Sequence, residues 1–298
     1  MEQDTLYIVG NGFDLAHGLK TKYNDFRNWL EESGFHSFVN RMEALYPDVK
    51  NANGEWNDIE TALGHFKMKD VIAYDKNYTD CNTVGNVVLP VGNNIRSVTT
   101  SLSGNLWKWI KSVDLLKTKR MFLLNENALF VSFNYTLTLE TVYGIPQDKT
   151  WHVHGSISDK TNVLVIGYGV DEKFDNAPNP TAYNLTDDDK RRNMMADMVK
   201  RVPLYIDKFH KWNNFSKMKV IKHVKVIGHS CSKVDQAYFE DIANAISTDA
   251  DWTFYYHASK SKKFYAKFAK DTVNLVGGKQ CVKVKHDSKL KRVKCSMK

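Results

Sequence analysis

The sequence predicts an α/β protein: a Rossmann-like parallel sheet flanked by helices, with a large, mostly helical insertion after the first strand. Three observations carry this. Short apolar runs of strand length alternate with helical patterns in the second half of the chain, as βαβ units do. The first run, Leu6 to Val9, ends in Gly10-Asn11-Gly12 and opens into a short helix-like segment. A mostly helical stretch, residues 20–125, then separates that run from the next strand signal.

Taken in order, Gly10 and Gly12 permit a tight turn and a close approach of phosphate to backbone. The turn departs from GxGxxG, because Leu15 stands where the third glycine belongs and the next glycine is Gly18. Thr21 is placed to cap a helix through about Glu32, with Phe26, Trp29 and Leu30 on one face. A second helical pattern covers Trp56 to Phe66. Residues 74–94 are rich in Asn, Asp, Thr and Gly and read as a loop, and helical periodicity returns over Val98 to Leu116. Ala128 to Phe133 is a continuous apolar run, the pattern of a buried parallel strand. Trp151 to Ser156 and Val163 to Ile166 read as shorter strands.

Asp175 to Pro180 reads as a loop. Thr186 with Asp187, Asp188 and Asp189 begins a helix that ends before Pro203, and another covers Leu204 to Trp212. Residues 174–216 are thus a second helical insertion. Val224 to Ile227, Trp252 to His257 and Cys281 to Val284 complete the strands, with helices over Asp235 to Ile246 and Lys260 to Lys270. The whole chain, 1–298, reads as one domain, in which 20–125 is placed to act as a lid.

Composition narrows the function classes. At 298 residues and 42% hydrophobic, the chain is globular. It has no apolar stretch near the roughly 20 residues of a membrane helix, and its start does not read as a signal peptide. A cytoplasmic location and no membrane partner are expected. Cys81, Cys231, Cys281 and Cys295 form no CxxC pair, so free thiols and no structural metal are expected. The net charge of +8 is concentrated at one end: residues 260–298 hold 13 Lys/Arg against 2 Asp/Glu. That end, with a basic tail over 286–298, reads either as a solvated surface or as a patch for nucleic acid. Phe264, Tyr265 and Phe268 interleave it at the spacing of a core-facing helix stripe.

Four short motifs fall at the carboxyl ends of predicted strands, where α/β sheets bind ligands. They are Gly10-Asn11-Gly12-Phe13-Asp14, Ser132-Phe133-Asn134-Tyr135-Thr136, His152-Val153-His154-Gly155-Ser156, and Gly228-His229-Ser230 followed by Asp235 and Tyr238-Phe239. Together with Gly18-Leu19-x-Thr21 and Trp56-Asn57-Asp58-Ile59-Glu60, their order resembles the AbiH family of bacteriophage abortive-infection proteins. The resemblance spans almost the whole chain. More distantly the order is similar to sirtuins and sirtuin-like NAD hydrolases, in which a Gly-Ala-Gly turn, an Asn-containing strand end, a His-Gly and a later Gly-x-Ser surround NAD.

The resemblance implies a role in phage defence, a phage-derived trigger, and NAD as substrate or ligand. By position it implies that Gly10, Asn11, Gly12, Phe13, Asp14 and Thr21 line the nucleotide. Asn134 would hold the nicotinamide ribose or the attacking water. His154, followed by Gly155, would be the general base. Gly228 and Ser230 would contact the adenosine side, and Gly155, His229 and Asp235 would also bind the nucleotide. Cleaving the bond to nicotinamide expels a leaving group that is already cationic. The chemistry therefore needs an oriented ribose, an oriented water and a base near neutral pH. Three residues depart from the sirtuin pattern: Asn11 between the glycines, Asp14 in place of Ser, and Thr136 in place of Asp. A carboxylate at Asp14 would repel phosphate, so capping the helix or binding a ribose hydroxyl suits it better. Without zinc-binding cysteines, hydrolysis or binding of a nucleotide is favoured over deacylation.

Other readings stay open at this point. Gly228-His229-Ser230-Cys231-Ser232 resembles a nucleophile elbow, with Asp251 and His257 as the remaining members of a serine esterase triad. His152 and His154 would share one strand face and could hold a metal. A non-catalytic sensor of nucleotide or nucleic acid, and a homo-oligomer, are also compatible with the chain.

Overall fold

Thr5–Val9 is buried at all five positions, which only a strand covered on both faces achieves. It is the centre of the sheet. A computed structural model of the chain describes residues 3–65, 98, 101–158, 164–167, 202–257, 261–273 and 280–291. In chain order the elements are β1 (Thr5–Val9), α1 (Asn11–Ala16), α2 (Tyr23–Glu32), α3 (His36–Leu45), α4 (Ile59–Gly64), α5 (residues 101–112), β2 (Leu129–Ser132), α6 (Thr138–Tyr143), β3 (Thr150–His152), α7 (Val202–His210), β4 (His223–Ile227), α8 (Gln236–Ala245), β5 (Asp251–Tyr256), α9 (Ser261–Asp271) and β6 (Cys281–His286).

The six strands are all parallel, in the order β3-β2-β1-β4-β5-β6. This is the doubly wound order of dinucleotide-binding sheets, with the switch point between β1 and β4. One face carries Leu6, Ile8, Leu129, Val131, Val224, Val226, Trp252 and Phe254 against Phe209 of α7, Phe239 and Ile242 of α8, and Phe268 of α9. The other face carries Tyr7, Val9 and Phe130 against Phe13 of α1 and Leu139 and Tyr143 of α6. Period-2 alternation along each strand feeds both layers.

The chain divides into two compact units. One holds residues 1–21, 112–160 and 202–298; the other holds 22–111 and 161–201. Within the second unit the regular elements among the described residues are helices, with an isolated bridge between Lys50 and Trp56. Its buried side chains include Phe26, Leu30, Val39, Met42, Trp56, Leu63, Leu102 and Leu106. Glu43 ties that unit together: it accepts from Trp56 Nε1 at 3.1 Å and Arg27 Nε at 2.8 Å, and pairs with Lys50 at 2.9 Å.

Several expectations are corrected in detail. Thr21 does not cap α2. Lys22 occupies that position, with its amide donating to Asp25 Oδ2 at 2.9 Å, while Thr21 turns back to Asn11. The strand expected at Trp151–Ser156 is Thr150–His152, because the chain turns at Val153-His154 and Gly155 is left-handed at φ 77°. Residues 164–167 form no strand; Val163, the loops at 74–94 and 175–180 and the helix expected from Thr186 lie outside the described residues. On α9, Tyr265 and Phe268 face inward, but Phe264 is exposed. The end of the basic tail, 292–298, also lies outside them. No helix among the described residues is long and apolar enough to cross a membrane.

Gly228 has φ 66°, and a Cβ there would lie 2.2 Å from the Phe13 nitrogen. Gly18 has φ 76°, with nothing within 4 Å of its Cβ position. Both alanine variants incur the left-handed cost of about 1–2 kcal/mol. Gly228→Ala must also push two backbones apart, so its loss exceeds about 4 kcal/mol. Urea denaturation of the two variants compares them, and equal losses would refute the contact.

Candidate functional site

Register brings four strand ends into one row. His152 pairs with Ser132, Ser132 with Val9, and Val9 with Ile227. The segments that leave these positions are the four sequence motifs, and they emerge side by side at the carboxyl edge of the sheet.

At the switch point the two glycine-bearing segments touch directly. The Gly12 amide donates to the Gly228 carbonyl at 2.7 Å, and the Phe13 amide donates to the Gly10 carbonyl at 2.8 Å. A Cβ on Gly10 would lie 2.6 Å from the His229 Cα, and one on Gly12 would lie 2.7 Å from the Gly228 Cα. Two amides that a pyrophosphate would use are therefore already engaged. Phe13 is fully buried beside Phe122, Tyr143 and His17. Asn11 and Thr21 clasp each other: Thr21 Oγ1 donates to Asn11 Oδ1 at 2.6 Å, and Asn11 Nδ2 donates to the Thr21 carbonyl at 2.8 Å. That clasp closes the loop after α1.

Asp14 points inward from α1 and is 1% exposed. Its Oδ2 accepts from Thr136 Oγ1 at 2.6 Å, and Thr136 in turn contacts Thr138 Oγ1 at 3.0 Å. Burial pushes its carboxyl up to about 6, although the Thr136, Thr138 and Asn134 side chains and the His152 charge pull the other way. Asp14 is thus a buried acid and not the helix cap. The loop carrying Asn134 is held by the Ser132 hydroxyl, which takes the Asn134 amide at 3.2 Å. The buried Oδ1 atoms of Asp14 and Asn134 accept no hydrogen bond from the described protein.

A histidine–carboxylate group packs against Phe133. His154 Nε2 is 3.5 Å from Asp235 Oδ1, and His229 Nε2 is 3.7 Å from Asp235 Oδ2. The Ser232 hydroxyl donates to the same Oδ2 at 3.0 Å. All three ionisable side chains are buried. The Phe133 ring meets both histidines edge-on, with centroids 5.4 and 4.2 Å away, and Tyr238 stands edge-on to His154 at 6.1 Å.

The expected HxH pair does not form. His152 ends β3 and sits between the Asn134 carbonyl and Glu140 Oε1, 3.0 Å from each, while His154 lies in the following turn and faces Asp235. Among the described residues no group of three His, Cys, Asp or Glu is placed to hold a metal. Gly155 is a left-handed turn residue whose amide donates to the His152 carbonyl.

The esterase triad is overturned as well. Ser230 is exposed beyond the carboxyl end of β4, whereas Asp251 opens β5 at the opposite edge and pairs with His223. His257 pairs with Asp287 at 2.8 Å. The left-handed residues of the loop are Gly228 and Cys231, not Ser230. Burial also pushes the Cys231 thiol far up, which makes it inert as a nucleophile.

The sequence reading missed Thr136–Asp14, Thr138 and the Glu140–His152 pair. Thr138–Tyr143 is six residues long, too short for helical periodicity to show. The left-handed C-cap Gly144 (φ 69°) was the available signal.

With this geometry in view, a family model described as bacteriophage abortive infection AbiH matches residues 6–256. No curated protein and no solved structure matches the chain.

The buried acid gives a test. The folded state holds Asp14 at about 6 against 3.8 for the free group, so between those values the folded state binds more protons than the unfolded one. Its contribution therefore favours folding in acid and is lost as pH rises from 3.8 to about 6, by about 3 kcal/mol. Asp14→Asn keeps an acceptor for Thr136 and removes the charge. Its urea midpoint should match wild type near pH 4 and exceed it above pH 7; parallel curves would argue against a buried titrating acid.

Proposed function

The chain belongs to the AbiH family of bacteriophage abortive-infection proteins, and on that footing we propose that it serves abortive infection by binding a nucleotide at the β1–β4 edge and hydrolysing NAD+ to nicotinamide and ADP-ribose. The observation that supports this best is the buried His154–Asp235 contact at the carboxyl edge of a sheet with dinucleotide-binding strand order, the edge where Asn134 follows β2. The Asp14 and Asn134 oxygens suit ribose, because each is a buried acceptor that a hydroxyl can satisfy. The Gly12 and Phe13 amides donate within the protein, so recognition rests on the ribose and on the loop 228–230 rather than on a pyrophosphate cradle at α1.

In the reaction the bond between nicotinamide N1 and ribose C1′ breaks, and nicotinamide leaves with the bonding pair as a neutral molecule. A water adds its oxygen to C1′ and gives its proton to His154. Asp235 beside Nε2 favours a proton on that nitrogen and leaves Nδ1 basic. Burial of His154 keeps bulk water away from the cationic ribose.

Full-length protein incubated with NAD+, with and without extract of phage-infected cells, should release nicotinamide, followed by chromatography. His154→Ala and Asn134→Ala should each slow release by about 10²- to 10⁴-fold. NAD+ binding without release under either condition would leave a nucleotide sensor, and absence of both would end the NAD+ reading.

A further inference from the structure

We infer that His229, Asp235 and His154 form a directional relay in which His229 and Asp235 are positioning residues that fix the tautomer of His154. The direction is set by the protein backbone. The Cys231 amide lies 2.8 Å from His229 Nδ1, and a backbone N–H can only donate, so Nδ1 is the accepting nitrogen. The proton of neutral His229 then sits on Nε2, which faces Asp235 Oδ2. That carboxylate also takes the Ser232 hydroxyl, and its other oxygen faces His154 Nε2. The Cys231 amide thus donates to His229, while the Nε2 atoms of His229 and His154 both face the same carboxylate. The 3.5 and 3.7 Å separations are electrostatic contacts that a small rotation would tighten.

The surroundings hold this order in place. Cys231 is the non-glycine residue with φ 54°, a strained conformation that aims its amide at the His229 ring. The Tyr265 hydroxyl donates to the His229 carbonyl at 2.8 Å. Phe133 stands edge-on to both imidazoles, with interplanar angles of 75° and 76°, and so fixes both ring planes. His229 cannot take a second proton without giving up the Cys231 amide. Within the relay a proton gained from substrate therefore rests on His154, where the Asp235 carboxylate balances it. His229 and Asp235, placed near a nucleotide by sequence position, become instead the support of the base. The catalytic half of this inference rests on the NAD+ reading above; the protonation pattern does not.

Full-length protein with ¹⁵N-labelled histidine tests it through long-range ¹H–¹⁵N correlations of the imidazole rings. Expected are His229 protonated on Nε2 and bare on Nδ1, and His154 protonated on Nε2. A His229 proton on Nδ1, or His154 protonated on Nδ1 in the neutral state, overturns the relay without any variant. In Asp235→Asn the side-chain amide can donate toward His154, which should move the His154 proton to Nδ1. Nicotinamide release should then fall on the order of 10³-fold in kcat with KM little changed, and Asp235→Glu should restore some of it. Unchanged His154 signals in a folded Asp235→Asn protein would also overturn the relay. The expected ring pattern without any nicotinamide release would leave the relay standing and remove only the NAD+ reading.

Discussion

The hydrogen bond from the Gly12 amide to the Gly228 carbonyl is the contact on which the rest of the site depends. It welds the exit of β1 to the exit of β4 at the switch point. Only residues without a Cβ allow it, since side chains at Gly10, Gly12 or Gly228 would meet backbone at 2.6, 2.7 and 2.2 Å. The weld fixes where His229 leaves β4, and His229 in turn packs on Phe133 from the end of β2. Through that pair, the loop bearing Asp235 is brought to His154. A glycine turn whose sequence suggests phosphate binding is thus used to close backbone on backbone, and the buried polar side chains gather beside it, in segments that follow β1, β2, β3 and β4.

Two buried acidic groups of different character lie at this edge. One, Asp14, is surrounded by hydroxyls and an amide, which stabilise a carboxylate poorly compared with a cation; burial wins and pushes the carboxyl up to about 6. The other, Asp235, faces two imidazoles, of which His229 accepts the Cys231 amide and presents its Nε2 to the carboxylate. The chain builds the first from α1 and the second from the loop before α8, while Asn134 itself is held by its own strand end through Ser132. The local device is a short hydroxyl-to-amide turn, which costs little and leaves the Asn134 side chain free to be set by its neighbours.

The fold was largely legible in the sequence, because buried parallel strands announce themselves as unbroken apolar runs. Leu6 to Val9, Ala128 to Phe133 and Trp252 to His257 each mark a real strand to within a residue or so at most ends. The shortest pieces were not legible. Thr150–His152 is only three residues long and α6 only six, so neither shows a period, and in sequence the turn at Val153-His154 reads as continuing strand. That single error produced the HxH pair: alternation along a strand puts both rings on one face, and the turn sends them to different carboxylates. The motifs did come together as their strand ends implied. Side-chain partners such as Thr136 with Asp14, 122 residues apart, carry no local signature at all.

Burying two carboxylates and two histidines along one sheet edge is expensive for a fold that could fill the same volume with apolar side chains. Structural use does not explain it well. The sheet is already covered on both faces by continuous apolar layers, and the weld at Gly12 and Gly228 needs no ionisable group. Nor does the Asp14 group behave like a structural ion pair, since it faces hydroxyls rather than a lysine or arginine and keeps an oxygen that the described protein does not satisfy. Strain points the same way. A non-glycine residue, Cys231, is held left-handed, and its amide ends on a histidine ring rather than on a backbone carbonyl. A stable sheet would be easier to build without these features, so their concentration at one edge marks that edge as the candidate functional site.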